Sequence, residues 1–412
     1  MISVNHRKLL ESLFAPCSAE EFLSKYWPNK PFSTHGDPAR LPEYLRSELL
    51  LSFDNLSANY HGRVAFGNAA TTDKTVKAEN VPTGLLRKMG LSLYLLDLPS
   101  NVPGTDKFLR EVEQAFGAKE GIARIGAFAA PVHNGVTSHF DSEEVISIQL
   151  EGVKRFYIAP MHEIPYPYGM QFGPGYRAYD DLYPQMSGGI PNVDNAEFQC
   201  VEMRPGSVLF MPRGTWHRTE ATQESLSVSI ILRQPAPFEE ILEQLRHTLL
   251  RDPEWRRPLY ILDRGDENLR KQIDTLLQDL PNACKTLSVD DILDNSLPEL
   301  ERMANLKETT WFQRVPQTRL QLNPDPLHSD FWTGSVRGNR QGSEYEIVPL
   351  QIPVNLLPLF QWLEKEERPI LAGELSNRFP AIAFDDIKAI LEGLTRATYL
   401  KPLRHVPPPL TK

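Results

Sequence analysis

A chain of 412 residues with 41% hydrophobic and 24% charged side chains is long enough for two or three folded units and has the balance of a globular protein, not of a disordered or fibrous one. Its formal net charge of -9 argues against general adhesion to nucleic acid, and no apolar run approaches the length that spans a bilayer. Cys17, Cys200 and Cys284 are scattered without paired spacing, which argues against disulfides and a cysteine-based zinc site; charge also runs through MISVNHRKLLESLF, where a signal peptide needs an apolar core, so the expected setting is a reducing cytoplasm.

The first 120 or so residues read as mostly helical, with amphipathic runs in AEEFLSKYW and DKFLREVEQAFG ahead of strands that begin near Ile122. The most informative segment follows as SHFDSEEVISIQLEGVKRFYIAP. On an extended strand residues i and i+2 share a face, so His139 and Asp141 present an imidazole and a carboxylate to one point. By itself this triplet also fits a His and an Asp on a strand edge. Val145, Ser147 and Gln149 continue in phase with the pair while Ile146, Ile148 and Leu150 face the other way, as in a strand between a solvated barrel lumen and a layer of helices. Glu151-Gly152 reads as a tight turn. If Leu150 lies opposite Val153, Gln149 pairs with Lys154 and the lysine enters the lumen, where it needs an anion. With the other pairing Arg155 turns inward and Lys154 is a surface lysine.

Residues from Pro160 to Gln199 are rich in Tyr, Gly and Pro and form an elaborated loop. It reads either as a lid or substrate cradle using Tyr166, Tyr168, Phe172, Tyr176 and Tyr179, or as a surface excursion packed on the barrel. PGSVLFMPRGTWH then gives a turn, a short strand from Ser207 to Met211, a second turn at Pro212-Arg213-Gly214, and His217 at the start of the next strand. Beyond it Ser225, Ser227 and Ser229 alternate with Leu226, Val228 and Ile230, again one polar and one apolar face. A jelly-roll barrel brings a late strand of this kind beside an early one, which sets His217 next to His139 and Asp141. Two histidines and one carboxylate on one face of an octahedral metal leave three positions open, the arrangement of non-haem Fe(II) oxygenases.

From about Ser18 to Arg233 the chain resembles the JmjC-type, cupin-like Fe(II) and 2-oxoglutarate oxygenases, and within them the ribosomal oxygenase group of protein hydroxylases. SAEEFLSKYWPNKPF resembles that group's helical entry segment, HFDSEEVISIQLEGVKRFYI its metal and co-substrate hairpin, and PGSVLFMPRGTWH its distal-histidine segment. The resemblance implies an α+β fold, a double-stranded β-helix barrel with N-terminal helices. It also implies His139, Asp141 and His217 as iron ligands and Lys154 as the partner of the far carboxylate of 2-oxoglutarate, with dioxygen as the third reactant. On that reading Ser227 and Ser229 line the co-substrate pocket, and no catalytic group is expected beyond the metal centre. Arg213 orders the turn before His217 or meets the substrate. His133, Asn134 and Thr137, just ahead of the metal strand, are candidates to face the substrate together with Tyr166, Tyr168 and Tyr176, with a plain loop histidine as the other reading of His133. The segment from Pro160 to Gln199 is longer than the group usually needs, which leaves the substrate more open than the chemistry.

Gln234-Pro235-Ala236-Pro237 stops the last barrel strand, so a catalytic unit is expected over 1–235. Over 236–310, FEEILEQLRHTLLRDPEW, NLRKQIDTLLQDL and SVDDILDNSLPELERMANL read as an all-helical subdomain, to which the resemblance adds homodimerisation. Over 311–412, strand-like sequence precedes PVNLLPLFQWLEKE, ILAGELSNRF and DDIKAILEGLTRATYLKPL, which have the order of a winged-helix module. Its third helix sets Asp385, Asp386 and Glu392 against Lys388 and Arg396, a poor partner for a phosphate backbone, so the module is expected to be structural or protein-docking. VPPPLTK reads as a loose tail. The expected function is hydroxylation of a protein side chain, an arginine or histidine of a ribosomal protein, with no membrane and no direct nucleic-acid partner. Two other classes fit the same barrel: a non-catalytic cupin-like binding or regulatory module, and a 2-oxoglutarate oxygenase acting on a small molecule or on methyl-lysine.

Overall fold

The structure is a computed structural model that describes residues 4–67, 76–173, 180–186, 189, 191–261, 265–296, 306–316, 318–325, 329–340, 343–397 and 399–403. The chain divides near Ala236 into two compact units.

The first unit carries strands β1 (Phe32–Thr34), β2 (Arg63–Gly67), β3 (Val76–Glu79), β4 (Ser92–Leu95), β5 (Ala123–Ala130), β6 (His139–Phe140), β7 (Glu144–Glu151), β8 (Lys154–Pro160), β9 (Gln171–Phe172), β10 (Gln199–Met203), β11 (Val208–Met211), β12 (Thr215–Ala221) and β13 (Ser225–Leu232). One antiparallel sheet runs β1-β11-β7-β13-β5-β4-β2-β3 and the other β10-β8-β12-β6-β9. A single cavity is lined from both sheets, by residues of β5, β7, β11 and β13 on one side and of β6, β8 and β12 on the other. This is a cupin-like jelly roll, in which strands distant in sequence become neighbours.

Alternation along β7 and β13 decides which face goes where. Ile146, Ile148, Leu226, Val228 and Ile230 are fully buried in one core with Leu10, Leu13, Phe14, Phe22, Phe108, Val112 and Phe116, which come from the helices Val4–Phe14, Ala19–Lys25 and Thr105–Phe116. Each such side chain contributes about 1.5 to 3 kcal/mol relative to exposure. Ser18 caps the helix Ala19–Lys25 by accepting from the Glu21 N–H, and Gly117, at φ 64°, ends the helix Thr105–Phe116 in the left-handed conformation that glycine supplies at no steric cost.

Two expectations are corrected here. The sheet strands do not begin near Ile122: among the helices of the first 120 residues, β1 adds to one edge of the large sheet and β4, β2 and β3 extend its other side. These strands are only three to five residues long and take their register from distant partners, as in Phe32 opposite Phe210, so no local periodicity announces them. The turn at Glu151-Gly152 does not form a hairpin between β7 and β8 either. At Gly152, φ 66°, the chain passes from the large sheet to the small one, and a Cβ there would lie 1.8 Å from the Glu224 carbonyl oxygen. Gln149 exchanges backbone hydrogen bonds with Ser207 and Gly206 instead, and Lys154 is paired with Met203 and Ala221. Lys154 still faces the cavity, because the two sheets face each other across it.

In the second unit the helices Pro237–Leu249, Pro253–Arg256, Glu267–Lys285 and Val289–Ser296 come first. None of the residues of Glu267–Lys285 is buried. Next come β14 (Trp311–Arg314), β15 (Thr318–Pro324), β16 (Phe331–Arg340), β17 (Ser343–Pro353), β18 (Ile370–Leu371) and β19 (Leu400–Pro402). They form two three-stranded sheets, β18-β14-β19 and β15-β16-β17. The helices Leu357–Lys365, Ala372–Arg378 and Phe384–Arg396 fall in the three segments read as helical and share a core with Phe312, Leu320, Val336 and Tyr399. No helix among the described residues is long and apolar enough to cross a membrane.

Candidate metal centre

Strand register alone brings two imidazoles together: β6 and β12 pair antiparallel with His217 directly opposite His139, and the ring centroids stand 4.0 Å apart. Asp141 lies one residue beyond β6, and its carboxylate oxygens are 3.9 Å from His139 Nε2 and 3.7 Å from His217 Nε2. Metal–nitrogen and metal–carboxylate distances of about 2.0 to 2.2 Å let one ion bridge atoms roughly 4 Å apart. His139, Asp141 and His217 are also the only group of three or more metal-ligating side chains among the described residues with all donor atoms within 4.8 Å of one another.

The tautomers are fixed by the backbone. His139 Nδ1 donates to the Thr137 carbonyl at 2.8 Å and His217 Nδ1 to the Thr215 carbonyl at 2.9 Å, so the Nε2 lone pair of each ring is free of its proton and points at the common site. Burial holds both rings well below the ordinary imidazole range, at about 4; for His217 the neighbouring His139 adds to the effect. Both are therefore neutral near pH 7, the form that ligates a metal. Burial pushes the Asp141 carboxyl up from its usual range, with His217 and Arg124 opposing. A bound cation reverses that balance and favours the carboxylate.

The same cavity contains a second recognition element. Lys154 is 3% exposed, and burial lowers its ammonium to about 8. Nζ donates to Ser227 Oγ at 3.0 Å and lies 5.5 Å from the Phe128 ring centroid and 5.7 Å from that of Phe156. No carboxylate among the described residues forms an ion pair with it. The buried Ser147 Oγ, also in the cavity wall, has no hydrogen-bond partner among the described residues. A buried cation without an acid and an orphaned hydroxyl fit a bound carboxylate, and three open-sided N, N, O donors fit a metal that accepts that ligand's other end.

Ser227 and Ser229, as read from the sequence, line the cavity. Thr137 contributes its carbonyl to His139. His133, in the left-handed region at φ 68°, points away with its side chain 83% exposed and 3.8 Å from Glu220. Asn134 donates to the Gly90 carbonyl at 3.1 Å. Tyr166 is 70% exposed, and Tyr168 is tied through its backbone to Gln185, with Arg233 5.3 Å from its ring. None of His133, Asn134, Tyr166 and Tyr168 lines the cavity, and neither does Arg213, whose guanidinium is paired with Glu144. Tyr176 and Tyr179 lie outside the described residues. Sequence reading passed over Phe128, Phe156, Thr219 and Val136 in the cavity wall. Thr219 is two residues beyond His217 and Phe156 two beyond Lys154, so the period-2 argument that found the ligands reaches them as well.

Residues 111–239 match the JmjC domain family. The uncharacterized protein YxbC of Bacillus subtilis is 26% identical over 304 residues, which cover 70% of this chain and 91% of that one. Ribosomal oxygenase 2 of Mus musculus is 25% identical over 239 residues, covering 54% of this chain but only 46% of its own length. Among solved structures, the Escherichia coli ribosomal oxygenase YcfD in complex with cobalt and 2-oxoglutarate is 15% identical with a TM-score of 0.41, over 93% of this chain and 97% of that one.

Proposed function

We propose that this chain, whose barrel is a JmjC domain and which is an Fe(II)- and 2-oxoglutarate-dependent oxygenase, hydroxylates a side chain of a protein substrate, an arginine or histidine of a ribosomal protein. The observation that carries the reading is the pairing, in one cavity, of two neutral imidazoles converging with Asp141 and a buried lysine that lacks an acid.

When bound, iron, 2-oxoglutarate and dioxygen supply the oxidising chemistry, ending in succinate, carbon dioxide and a hydroxyl group placed on a C–H carbon. The work of the chain is placement. His139, His217 and Asp141 would hold the ion, their donor atoms lying within 4.8 Å of one another, and three protein ligands would leave positions for the co-substrate and dioxygen. Lys154 and Ser227 receive the far carboxylate in a charge-assisted contact that the apolar walls from Phe128, Phe156, Val145 and Ile231 shield from water. The protein substrate is inferred from the ribosomal oxygenase relative and from the second folded unit that follows the barrel. Incubating the iron-loaded protein with ribosomal proteins should give a one-oxygen mass increment on a single arginine- or histidine-bearing peptide. Succinate formation with no such increment would redirect the search to small molecules.

The exposed apolar residues Leu277, on the helix Glu267–Lys285 that buries none of its residues, and Val289 and Leu293 support a homodimer through the segment from 237 to 296. Sedimentation should give a dimer that Leu277→Glu with Leu293→Glu converts to a monomer. The final unit is read as a winged-helix-like protein-docking module, and the unpaired Cys17, Cys200 and Cys284 agree with a cytoplasmic setting.

A further inference from the structure

The three donors of the metal centre are not held in the same way. His139 and His217 face each other across paired strands. Asp141 has no such partner: it sits in the crossover between the end of β6 at Phe140 and the start of β7 at Glu144, where the chain leaves the small sheet for the large one. What approaches that crossover is the turn from 212 to 214, just ahead of His217. The Gly214 N–H donates to the Asp141 carbonyl at 2.8 Å. The Arg213 guanidinium forks onto the Glu144 carboxylate, Nη2 to Oε2 at 2.8 Å and Nε to Oε1. These two side chains are 16% and 7% exposed, and the strands beneath them pair Val145 with Met211, both in the cavity wall.

We propose that the Arg213–Glu144 pair is a positioning element: it locks the turn before His217 to the crossover that bears Asp141, and so sets the carboxylate at the spacing from the His217 imidazole that one ion requires. The inference rests on the metal reading above. A forked guanidinium–carboxylate pair fixes both distance and plane, which a lysine in place of Arg213 would not do. A role in folding alone would not need an ion pair, since apolar residues of similar volume replace buried pairs with little loss of stability.

That contrast supplies the test. In the double variant Glu144→Leu with Arg213→Met, the thermal midpoint of the metal-free protein is expected to stay near that of the unaltered chain. Its affinity for Co(II), read from the ligand-field absorption, is expected to fall about 10- to 100-fold, the usual effect of removing support for a metal ligand, with a changed spectrum. Arg213→Lys should fall between the two. Co(II) affinity and spectrum equal to those of the unaltered chain in the folded double variant would overturn the proposal. If the double variant does not fold, Glu144→Asp keeps the charge and shortens the reach, and unaltered Co(II) affinity in that variant overturns the proposal equally. An unaltered chain that binds no Co(II) would instead remove the metal reading itself.

Discussion

The two faces of β7 and β13 share a backbone and differ in what they tolerate. One face buries Ile146, Ile148, Val228 and Ile230 beneath the N-terminal helices; the other turns Ser147, Ser227 and Ser229 to the cavity that holds His139, Asp141, His217 and Lys154. The difference teaches that fold and chemistry are written on alternate residues of the same strands, so their mutational effects should separate cleanly.

The largest expected effect is on the cavity face. Asp141→Ala should abolish iron-dependent succinate formation while circular dichroism and the metal-free thermal midpoint hold, because the barrel loses only a carboxylate that burial already disfavours. Loss of folding in that variant would break the separation. On the core face, Ile148→Ala should destabilise by about 2 to 5 kcal/mol in denaturant titration, the cost of a cavity at a fully buried site, with 2-oxoglutarate affinity unchanged in the folded fraction. Lys154→Ala should cost about 2 to 5 kcal/mol in 2-oxoglutarate binding by calorimetry, with no comparable loss of stability.

The same lysine gives a pH signature. Its ammonium is held down to about 8, and the dianionic co-substrate needs the protonated form, so affinity should be level below that pH and fall about tenfold per unit above it. Lys154→Arg, which stays charged throughout, should flatten the profile. Ser227→Ala is the smallest change: removal of one hydrogen bond to Lys154 should weaken 2-oxoglutarate by about 1 kcal/mol, roughly fivefold.

Much of this was legible in the sequence because period 2 is local. Ile146 against Ser147 and Leu226 against Ser227 declare their faces without a partner strand; the same rule pointed to His139 with Asp141, which come together although Asp141 lies one residue beyond β6. The conjunction with His217 needed only the expectation that a jelly roll joins early and late strands, and the register delivered it. Lys154 reached the cavity by another route than expected, since a hairpin and a crossing between sheets begin with the same Glu-Gly turn. What was hidden depends on distant pairing. Glu144 and Arg213 are 69 residues apart, and nothing in either neighbourhood announces the other. Val136 enters the cavity wall from an irregular segment that packs on β12 so closely that a Cβ on Gly135 would lie 1.8 Å from the Thr219 carbonyl oxygen. No periodicity marks such a segment.

The most direct measurement is succinate formation from 2-oxoglutarate by the purified protein with Fe(II), ascorbate and air, in the presence and absence of ribosomal proteins, with His139→Ala beside it. The account predicts iron-dependent succinate that rises with ribosomal protein and vanishes in the variant. No succinate under any condition, together with no 2-oxoglutarate binding to the metal-loaded protein, would contradict it and leave the barrel as a binding module.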